Sequence, residues 1–344
     1  MEPTKNLHTY YDYKQMENTS MCDNAQMATP LFIPVFIMLI FLLGLSGNSM
    51  VIFTVWRAEG KRRAVEVYIG NLALADLTFM VTLPLWVVYT AMDDHWPFGA
   101  ALCKIVSYID ILNMYASVFL LTCMSFNRYQ AIVHSLSSTK LRIRGHTRIS
   151  LAAVWILSGL LAVPALIFHT TWHVPSNNHT SCTLDFGLVV TNQRQGSLWI
   201  TALTMSLSTL GFLLPFLAMI VCYGLIGCTV MRHFNIRRQE DQRKWRLLKI
   251  ITTVVVVFTS CWIPFHVLNS AGALSYLGLF PATCAFQRFL LLAYPYATCL
   301  AFINSSINPF LYAFLDLRLR SRCLCLLHLK KFRQTSTNDE EVHP

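Results

Sequence analysis

Two acidic side chains stand inside long apolar stretches of this sequence, Asp76 within residues 67–91 and Asp110 within residues 104–127. A carboxylate in an apolar environment is costly unless a cation, a proton or hydrogen-bond donors accompany it, so both residues are candidates for function. Asp110 follows Cys103 by two helical turns, which places it roughly 10 Å further along the axis. We predict that Asp110 pairs with a basic group on a ligand. The alternative is an acid that is protonated or hydrogen-bonded within the protein.

The other acid, Asp76, belongs to a set of polar residues within the apolar stretches. The remaining members of this set are Asn113, Ser117, Asn304 and Asn308. The two residues of each pair, Asn113 with Ser117 and Asn304 with Asn308, are four positions apart and therefore share a helix face. A carboxylate surrounded by neutral oxygens suits a sodium ion, and no other cofactor is predicted. The alternative is a water-filled polar network without a bound ion.

Membrane-spanning helices must hold these residues. Of the 344 residues, 55% are hydrophobic and 13% are charged, and a soluble protein of this composition would expose large apolar surfaces. Stretches that are nearly free of charge and long enough to cross a bilayer as helices are residues 31–56, 67–91, 104–127, 149–168, 198–231, 250–271 and 289–314. We therefore predict an all-α membrane protein, a seven-transmembrane helix bundle with a short amphipathic eighth helix.

The distribution of basic residues predicts the orientation of the bundle. Most Lys and Arg residues fall in the connections that would face the cytoplasm if the N-terminus lies outside, as the positive-inside rule requires. Residues 1–30 show no signal peptide, so the first apolar stretch would act as its own insertion signal. The predicted parts are an extracellular tail over 1–30, a transmembrane domain over 31–314, an amphipathic membrane-surface helix over 315–330 and a disordered cytoplasmic tail over 331–344. The net charge of +10 then faces anionic membrane lipid rather than nucleic acid.

Several cysteines and asparagines are candidates for covalent modification. Cys22, Cys103, Cys182 and Cys284 fall on the predicted outer side, where disulfides persist, and four cysteines allow three pairings. Glycosylation sequons begin at Asn18 and Asn178. Cys323 and Cys325 lie in the predicted amphipathic helix and are candidates for palmitoylation, with an unmodified helix as the alternative.

Motifs placed one per helix resemble those of rhodopsin-like (class A) G-protein-coupled receptors. They are Asn48, LALAD ending at Asp76, Cys103, NRY at 127–129, Trp155, Pro215 with Tyr223, CWIP at 261–264 and NPFLY at 308–312. The full ordered set is specific, and the resemblance covers about residues 30–330. The stretches ADLTFMVTLPLWVVYT, NMYASVF and YPYATCLAFINSSINPFLYAF narrow the resemblance to the apelin-receptor subfamily of the fish type.

This resemblance implies a cell-surface receptor for the basic peptide hormones apelin and Elabela/Toddler. It implies coupling mainly to inhibitory G proteins, which lower adenylate cyclase activity, together with binding of arrestin. Roles in gastrulation, heart development and angiogenesis are implied as well. Among the possible disulfides, the resemblance favours Cys103–Cys182 and Cys22–Cys284.

The implied ligand-binding residues are Trp86, Tyr89, Asp93, Asp94, Asp110, Asp185 and Trp262. An acidic outer surface attracts a basic peptide and speeds its association, whereas simple solvation of scattered acids is the alternative. Three positions depart from the subfamily pattern: Gln287 stands in place of an acid, Asn269 in place of a lysine, and Asp110 in place of an aliphatic residue. Amine and opioid-type receptors carry this last aspartate, but Phe302 replaces the tyrosine that is its usual partner in amine receptors.

The resemblance also implies a set of residues for activation and G-protein coupling. They are Asn127, Arg128, Tyr129, Tyr223, Pro264, Pro309 and Tyr312. The residue before the arginine is usually aspartate, and Asn127 cannot form the same charge pair with Arg128. We therefore expect altered or raised basal signalling.

Other classes of protein fit the sequence less well. It contains no metal-binding histidine motif, serine-nucleophile motif or phosphate loop, so we do not expect an enzyme. Internal repeats and abundant charge within the membrane, which are typical of transporters, are not evident. A binding-only scavenger or atypical peptide or chemokine-type receptor is the remaining alternative. The intact Arg128, Tyr129 and NPFLY segment favour a signalling receptor instead.

Overall fold

The computed structural model describes residues 31–57, 63–133, 140–174, 179–187, 189–190, 192–233, 241–280 and 283–315. Within these residues, seven helical spans are long and apolar enough to cross a membrane, which confirms the predicted seven-helix bundle. We number the spans first to seventh in chain order. The predicted eighth helix and both terminal tails lie almost entirely outside the described residues.

The first four spans are the helix Phe32–Trp56, the pair of helices Ala64–Met80 and Leu83–Ala91, the helix Gly99–Val133 and the helix Lys140–Phe168. The fifth span comprises the helix Gln193–Ser208, a π-helical turn Thr209–Leu213 and the helix Leu214–His233. The sixth and seventh spans are the helices Asp241–Tyr276 and Cys284–Leu315. Two strands, β1 (His169–Val174) and β2 (His179–Leu184), follow the fourth span.

Proline interrupts the second and fifth spans. A proline inside an apolar stretch, as at Leu83-Pro84, predicts a kink, and the helix ends at Met80 and restarts at Leu83, with Pro84 in the first turn of the new helix. Proline fits that position because the first turn needs no donor from its backbone nitrogen. In the fifth span, the π-helical turn immediately precedes the helix that contains Pro215. Pro164, Pro264 and Pro309 lie inside helices that continue past them.

A β-hairpin lies where the sequence suggested only a long loop. β1 pairs with β2 in an antiparallel register that places Thr171 opposite Cys182. A two-stranded hairpin is marginally stable alone, and this one contacts the third span through β1. We call the end of the bundle that carries β1 and β2 the hairpin end, and the opposite end, where the third span reaches Arg128, the Arg128 end.

The third span forms the centre of the bundle. It contacts the second, fourth, fifth and sixth spans as well as β1. Its residues from Asn113 to Val118 are all buried. Large apolar side chains on the periphery, such as Leu39, Leu43 and Ile156, are exposed, as expected of a surface that faces hydrocarbon. Side chains on the third span can therefore link residues from most of the other spans.

Close packing at Gly47 gives a test of this arrangement. A Cβ atom added at Gly47 would lie 2.9 Å from Cβ of Pro309, on the seventh span. The proline ring cannot rotate away, so we expect Gly47→Ala to destabilise the bundle by about 1–3 kcal/mol through overpacking. The apparent melting temperature of the detergent-purified protein would therefore fall.

Gly227→Ala is the matched control, because no atom lies within 4 Å of its new Cβ. This control should leave the melting temperature unchanged or raise it, since alanine favours helix by about 1 kcal/mol over glycine. Equal melting temperatures for the two variants would contradict the packing of the first span against the seventh.

Candidate functional site

A disulfide between Cys103 and Cys182 joins the third span to β2, with the Cα atoms 5.7 Å apart. This bond confirms the pairing favoured in the sequence, and it fixes the hairpin across the end of the bundle. Cys284 is also disulfide-bonded. Its predicted partner, Cys22, lies outside the described residues, so that second pairing stays a prediction.

The loop between the second and third spans is attached to the hairpin by backbone contacts. The Trp96 N–H donates to the Thr180 carbonyl at 2.6 Å, and the Thr180 N–H donates to Nδ1 of His95 at 3.1 Å. Nε2 of His179 lies 3.1 Å from the Asp93 carbonyl. β2 is therefore attached to this loop at several points.

Two predicted ligand-binding acids, Asp93 and Asp94, lie on the same loop. Both have positive φ, 52° and 66°, in a region where asparagine and aspartate are the most common residues other than glycine. The Asp94 N–H donates to the Tyr89 carbonyl at 3.0 Å. The side chains of both acids are exposed, so the loop presents carboxylates to the solvent beside the hairpin.

Four aromatic rings pack together beneath this loop. Trp86 and Tyr89 of the second span lie 5.5 Å apart, and their centroids are 5.8 and 5.9 Å from that of Trp96. Phe98 stacks edge-on against Trp96 at 5.1 Å. Cys182 packs against the same group, which ties it to the disulfide. We call Trp86, Tyr89 and Trp96 the aromatic cluster. The sequence identified two of its members, and the third, Trp96, is almost completely buried.

Asp110 of the third span lies next to the aromatic cluster. Its Oδ2 accepts a hydrogen bond from Nε1 of Trp86 at 2.8 Å, and its Oδ1 lies 3.0 Å from Oγ1 of Thr82. Both partners are neutral and both belong to the second span. Thr82 was not identified from the sequence, and the structure shows its hydroxyl buried beside the helix break.

The other two predicted ligand-binding residues belong to different clusters. Asp185 follows β2, and its Oδ1 accepts the Gly187 N–H at 2.7 Å in a local turn. The Asp185 N–H donates to the Phe168 carbonyl at the end of the fourth span. Trp262 packs in the sixth span against Phe258 and His266, at 6.1 and 5.6 Å between ring centroids.

His266 was missed in the sequence, although a lone histidine two residues after Pro264 in an apolar stretch is itself a signal. Its ring is buried and stacks on Phe212 of the π-helical turn at 5.0 Å. Nδ1 of His266 lies 3.2 Å from Oγ of Ser208, and Oγ of Ser270 donates to the same Ser208 oxygen at 3.1 Å. These contacts connect the fifth and sixth spans directly beside Trp262.

The predicted polar set lies in the interior of the bundle. Asp76 is fully buried, and its Oδ2 accepts a hydrogen bond from Nδ2 of Asn308 at 3.0 Å. Its Oδ1 lies 3.5 Å from both Nδ2 of Asn113 and Oγ of Ser117. Asn304 is buried nearby on the helix face of Asn308. The second, third and seventh spans therefore meet at one carboxylate.

Ser305 completes this polar set and was not identified from the sequence. Its Oγ lies 3.5 Å from Nδ2 of Asn113, and its carbonyl accepts a hydrogen bond from Nδ2 of Asn48 at 2.9 Å. An amide in hydrocarbon is costly without a partner, which predicts that Asn48 bonds to a neighbouring helix, and this contact confirms it. The first span is joined to the seventh through this contact.

At the Arg128 end, Oγ of Ser125 lies 3.3 Å from the hydroxyl of Tyr223 on the fifth span. The charge of Arg128 acts on the same hydroxyl, so Arg128 and Tyr223 are near neighbours. Asn127 and Tyr129 are half-buried beside Arg128. The side chain of Tyr312 and the modification candidates Asn18, Asn178, Cys323 and Cys325 all lie outside the part of the structure that is described.

Comparison with known proteins adds to this geometry. A family model for the 7 transmembrane receptor (rhodopsin family) matches residues 47–312. Apelin receptor B of Danio rerio is 65% identical over 91% of this chain and 88% of its own length. Apelin receptor A of the same organism is 65% identical over 96% of this chain and 92% of its own length. The type-1 angiotensin II receptor of Bos taurus is 36% identical over 86% of this chain and 80% of its own length.

A basic residue, Lys104, and a half-buried histidine, His169, lie together where the fourth span meets β1. Nζ of Lys104 donates to the carbonyls of Leu166 and Ile167, at 3.0 and 3.3 Å, and so caps the last turn of the fourth span. Burial of the His169 ring lowers its pKa to about 4, and the charge of Lys104 adds to this effect. A hydrogen bond to the Ala165 backbone opposes the shift without cancelling it.

This lowered pKa predicts loss of stability in acid. An unfolded histidine takes up a proton near its ordinary pKa of 6.5, whereas folded His169 does so only near pH 4. The neutral ring therefore stabilises the folded protein above about pH 6.5, and this contribution is lost as the pH falls toward 4. We expect the apparent melting temperature to fall less between these pH values in His169→Gln than in the wild type. His173→Gln, on the same strand with an exposed side chain, is the control and should behave as the wild type. An unchanged acid response in His169→Gln would show that another group is responsible.

Proposed function

Because the chain belongs to the rhodopsin family of seven-transmembrane receptors, we propose that it is a receptor for basic peptide hormones of the apelin and Elabela/Toddler type. The observation that carries this proposal is the 65% identity to apelin receptors over most of the chain. The family is one of receptors rather than enzymes. Coupling mainly to inhibitory G proteins, and roles in gastrulation, heart development and angiogenesis, belong to the same proposal.

The protein is a multi-pass membrane protein, and we place the hairpin end outside the cell. The disulfide between Cys103 and Cys182 supports this orientation, since disulfides persist in oxidising surroundings. The basic residues around the Arg128 end support it as well, because positively charged connections remain in the cytoplasm. The extracellular N-terminus and the cytoplasmic C-terminus follow from this orientation. The basic cytoplasmic side would then face anionic lipid, G protein and arrestin.

The peptide would bind at the hairpin end. Exposed carboxylates of Asp93 and Asp94 offer attraction to a basic peptide and would speed its association. Half-buried Trp86 and Tyr89 beside them offer flat apolar surface with polar edges, which is typical of binding anchors. Asp185 adds a third carboxylate beyond β2, where one oxygen is used in a local turn. This combination of acids and aromatic rings suits a basic peptide better than an apolar ligand.

Binding would be transmitted to the Arg128 end through the fifth and sixth spans. His266 packs against Trp262 and contacts the π-helical turn of the fifth span, a local irregularity of a kind often found at functional sites. Tyr223, further along the same span, lies beside Arg128. Pro264 and Pro309 weaken the backbone ladder of their helices and so favour bending there. A change at Trp262 can therefore alter the surface offered to a G protein.

A sodium ion would fit the polar set around Asp76. The carboxylate is fully buried, and Oδ1 of both Asn304 and Asn308 is buried without a hydrogen-bond partner. Neutral oxygens beside a buried carboxylate are the donor set that such a cation requires. A bound sodium ion would supply positive charge in the interior, while Asn113 and Ser117 would orient the carboxylate.

Sodium binding predicts a salt-specific gain in stability. A ligand that binds only the folded protein raises its melting temperature. We expect NaCl to raise the apparent melting temperature of the unliganded protein above the value in KCl of equal ionic strength. Asp76→Asn should remove the difference between the two salts, because the carboxylate is the charged donor. Equal melting temperatures of the wild type in both salts would favour a water-filled network.

The proposed signalling activity predicts a toxin-sensitive response in cells. We expect a synthetic apelin-type peptide to lower forskolin-stimulated cyclic AMP in cells that express the full chain. Pertussis toxin should abolish the response, because it uncouples inhibitory G proteins. Cells that express Arg128→Ala should still bind the peptide at the hairpin end, but their cyclic AMP should not fall.

The same assay distinguishes the alternatives. Peptide binding without any fall in cyclic AMP would favour a binding-only scavenger receptor, and absence of binding would contradict the proposed ligand class. Basal cyclic AMP without peptide tests Asn127, since Asn127→Asp restores the local charge pair with Arg128 and should reduce basal signalling.

A further inference from the structure

The position of Asp110 raises the question of its partner in the protein. Its two oxygens are used by Trp86 and Thr82, both on the second span. Neither partner is charged, and among the described residues no cation pairs with this carboxyl group. The side chain is half-buried, and a carboxyl group with two neutral partners either positions those partners or awaits a cation from a ligand. The contacts of Thr82 and Trp86 favour the first role.

The Thr82 hydroxyl has only one proton to donate. Its Oγ1 lies 2.8 Å from the Phe79 carbonyl, one turn earlier in the same span, and 3.0 Å from Oδ1 of Asp110. The Phe79 carbonyl also accepts the Thr82 N–H at 2.9 Å, so it keeps a partner whichever way the hydroxyl points. The hydroxyl can therefore donate to an ionised Asp110, or accept from a protonated one while it donates to the carbonyl. The contact between Thr82 and Asp110 is compatible with either state.

Thr82 also lies at the break of the second span. Its N–H donates to the Phe79 carbonyl before the break, and its own carbonyl accepts from Leu85 at 3.0 Å after the break. Trp86 is on the short helix that follows, and its position therefore depends on how the break is held. Asp110 contacts both residues and so fixes this helix against the third span. The indole of Trp86 is thereby directed into the aromatic cluster with Tyr89 and Trp96.

We propose that Asp110 is a positioning residue, which bonds to Thr82, accepts from Trp86 and so holds the aromatic wall of the peptide site. It is not a counter-ion for a basic group of the peptide. This inference rests on the proposed function for the identity of the ligand, but the contact between Asp110 and Trp86 exists without one. Asparagine reproduces the arrangement, because its amide donates to Thr82 while its oxygen accepts from Trp86. Leucine has nearly the same size and can do neither.

The test compares Asp110→Asn, Asp110→Leu, Trp86→Phe and the double variant Asp110→Leu/Trp86→Phe in the full-length protein. We expect Asp110→Leu to weaken binding of a synthetic basic apelin-type peptide about tenfold, the usual scale for one buried donor left unpaired. Asp110→Asn should rescue this loss. The double variant should bind no more weakly than the poorer of the two single variants, because both substitutions remove the same contact.

Tyr68→Phe is the control for general destabilisation. It removes a hydrogen bond to Ser150 that joins the second and fourth spans, so it should lower the melting temperature without changing peptide affinity.

A second peptide separates positioning from charge pairing. Its arginines are replaced by citrulline, which removes their charge and keeps their shape. A positioning residue predicts the same fold loss for both peptides in Asp110→Leu. A larger loss for the basic peptide, or equal losses in Asp110→Asn and Asp110→Leu, would overturn the proposal in favour of a counter-ion.

Melting temperatures of the unliganded protein keep the two proposals distinguishable. If the wild type bound neither peptide, the proposed function would fail while the role of Asp110 could still be decided. Rescue of the melting temperature by Asp110→Asn, with non-additive effects of Asp110→Leu and Trp86→Phe, would support the positioning contact. Additive effects would overturn it.

Discussion

The Asp76 carboxylate is fully buried among helices that face hydrocarbon, and every partner it has must come from the protein, an ion or enclosed water. Asn308, Asn113 and Ser117 reach it from the seventh and third spans. Asn48 adds the first span through the Ser305 carbonyl. In water, these polar groups could satisfy themselves with solvent and would impose no arrangement. In an apolar bundle they must meet, so the need to satisfy one acid constrains the relative positions of four spans.

Apolar packing works differently in this molecule. Exposed leucine, isoleucine and phenylalanine side chains cover the periphery, where lipid is as good a neighbour as another helix. Burial of such side chains gives little preference for one helix partner over another. Small residues allow close approach instead, as Gly47 does opposite Pro309. The polar contacts select which helices are neighbours, and the small residues determine how closely they approach.

The sequence predicts the spans well because the signal for a membrane helix is long and uniform. All seven were recognised from the near absence of charge, and the break near Pro84 followed from proline chemistry. The hairpin was missed because its two short strands are stabilised by contact with the third span and by Cys182, neither of which is local. Asn48 and Asp76 were recognisable as residues that need partners. Ser305 and Thr82 were not, because serine and threonine in a helix can satisfy themselves on their own backbone.

The identity of a partner is harder to predict than the need for one. For Asp110, the sequence indicates only a buried acid that is expected to require a cation or a proton. Whether Trp86 reaches it depends on the break at Thr82, because an uninterrupted helix would rotate the following residues to a different face. The same argument applies to His266, whose neighbour Ser208 immediately precedes the π-helical turn. Irregularities of the backbone therefore decide which polar residues meet, and their effect on rotation is difficult to read from a single sequence.

Two successive polar contacts join the second and third spans, one between Asp110 and the residues Thr82 and Trp86, the other between Asp76 and Asn113. Asp110 and Asn113 are about one helical turn apart, so these contacts hold the two spans together over about one turn of the third span. The fifth and sixth spans meet through the contacts of Ser208 with His266 and Ser270, at 3.2 and 3.1 Å. They also contain a π-helical turn and Pro264, where the regular ladder is weakened. A ligand that presses on the aromatic cluster therefore meets a rigid pair of helices, the second and third spans, on one side. The fifth and sixth spans on the other side bend more readily, which favours them as the elements that carry the signal toward Arg128.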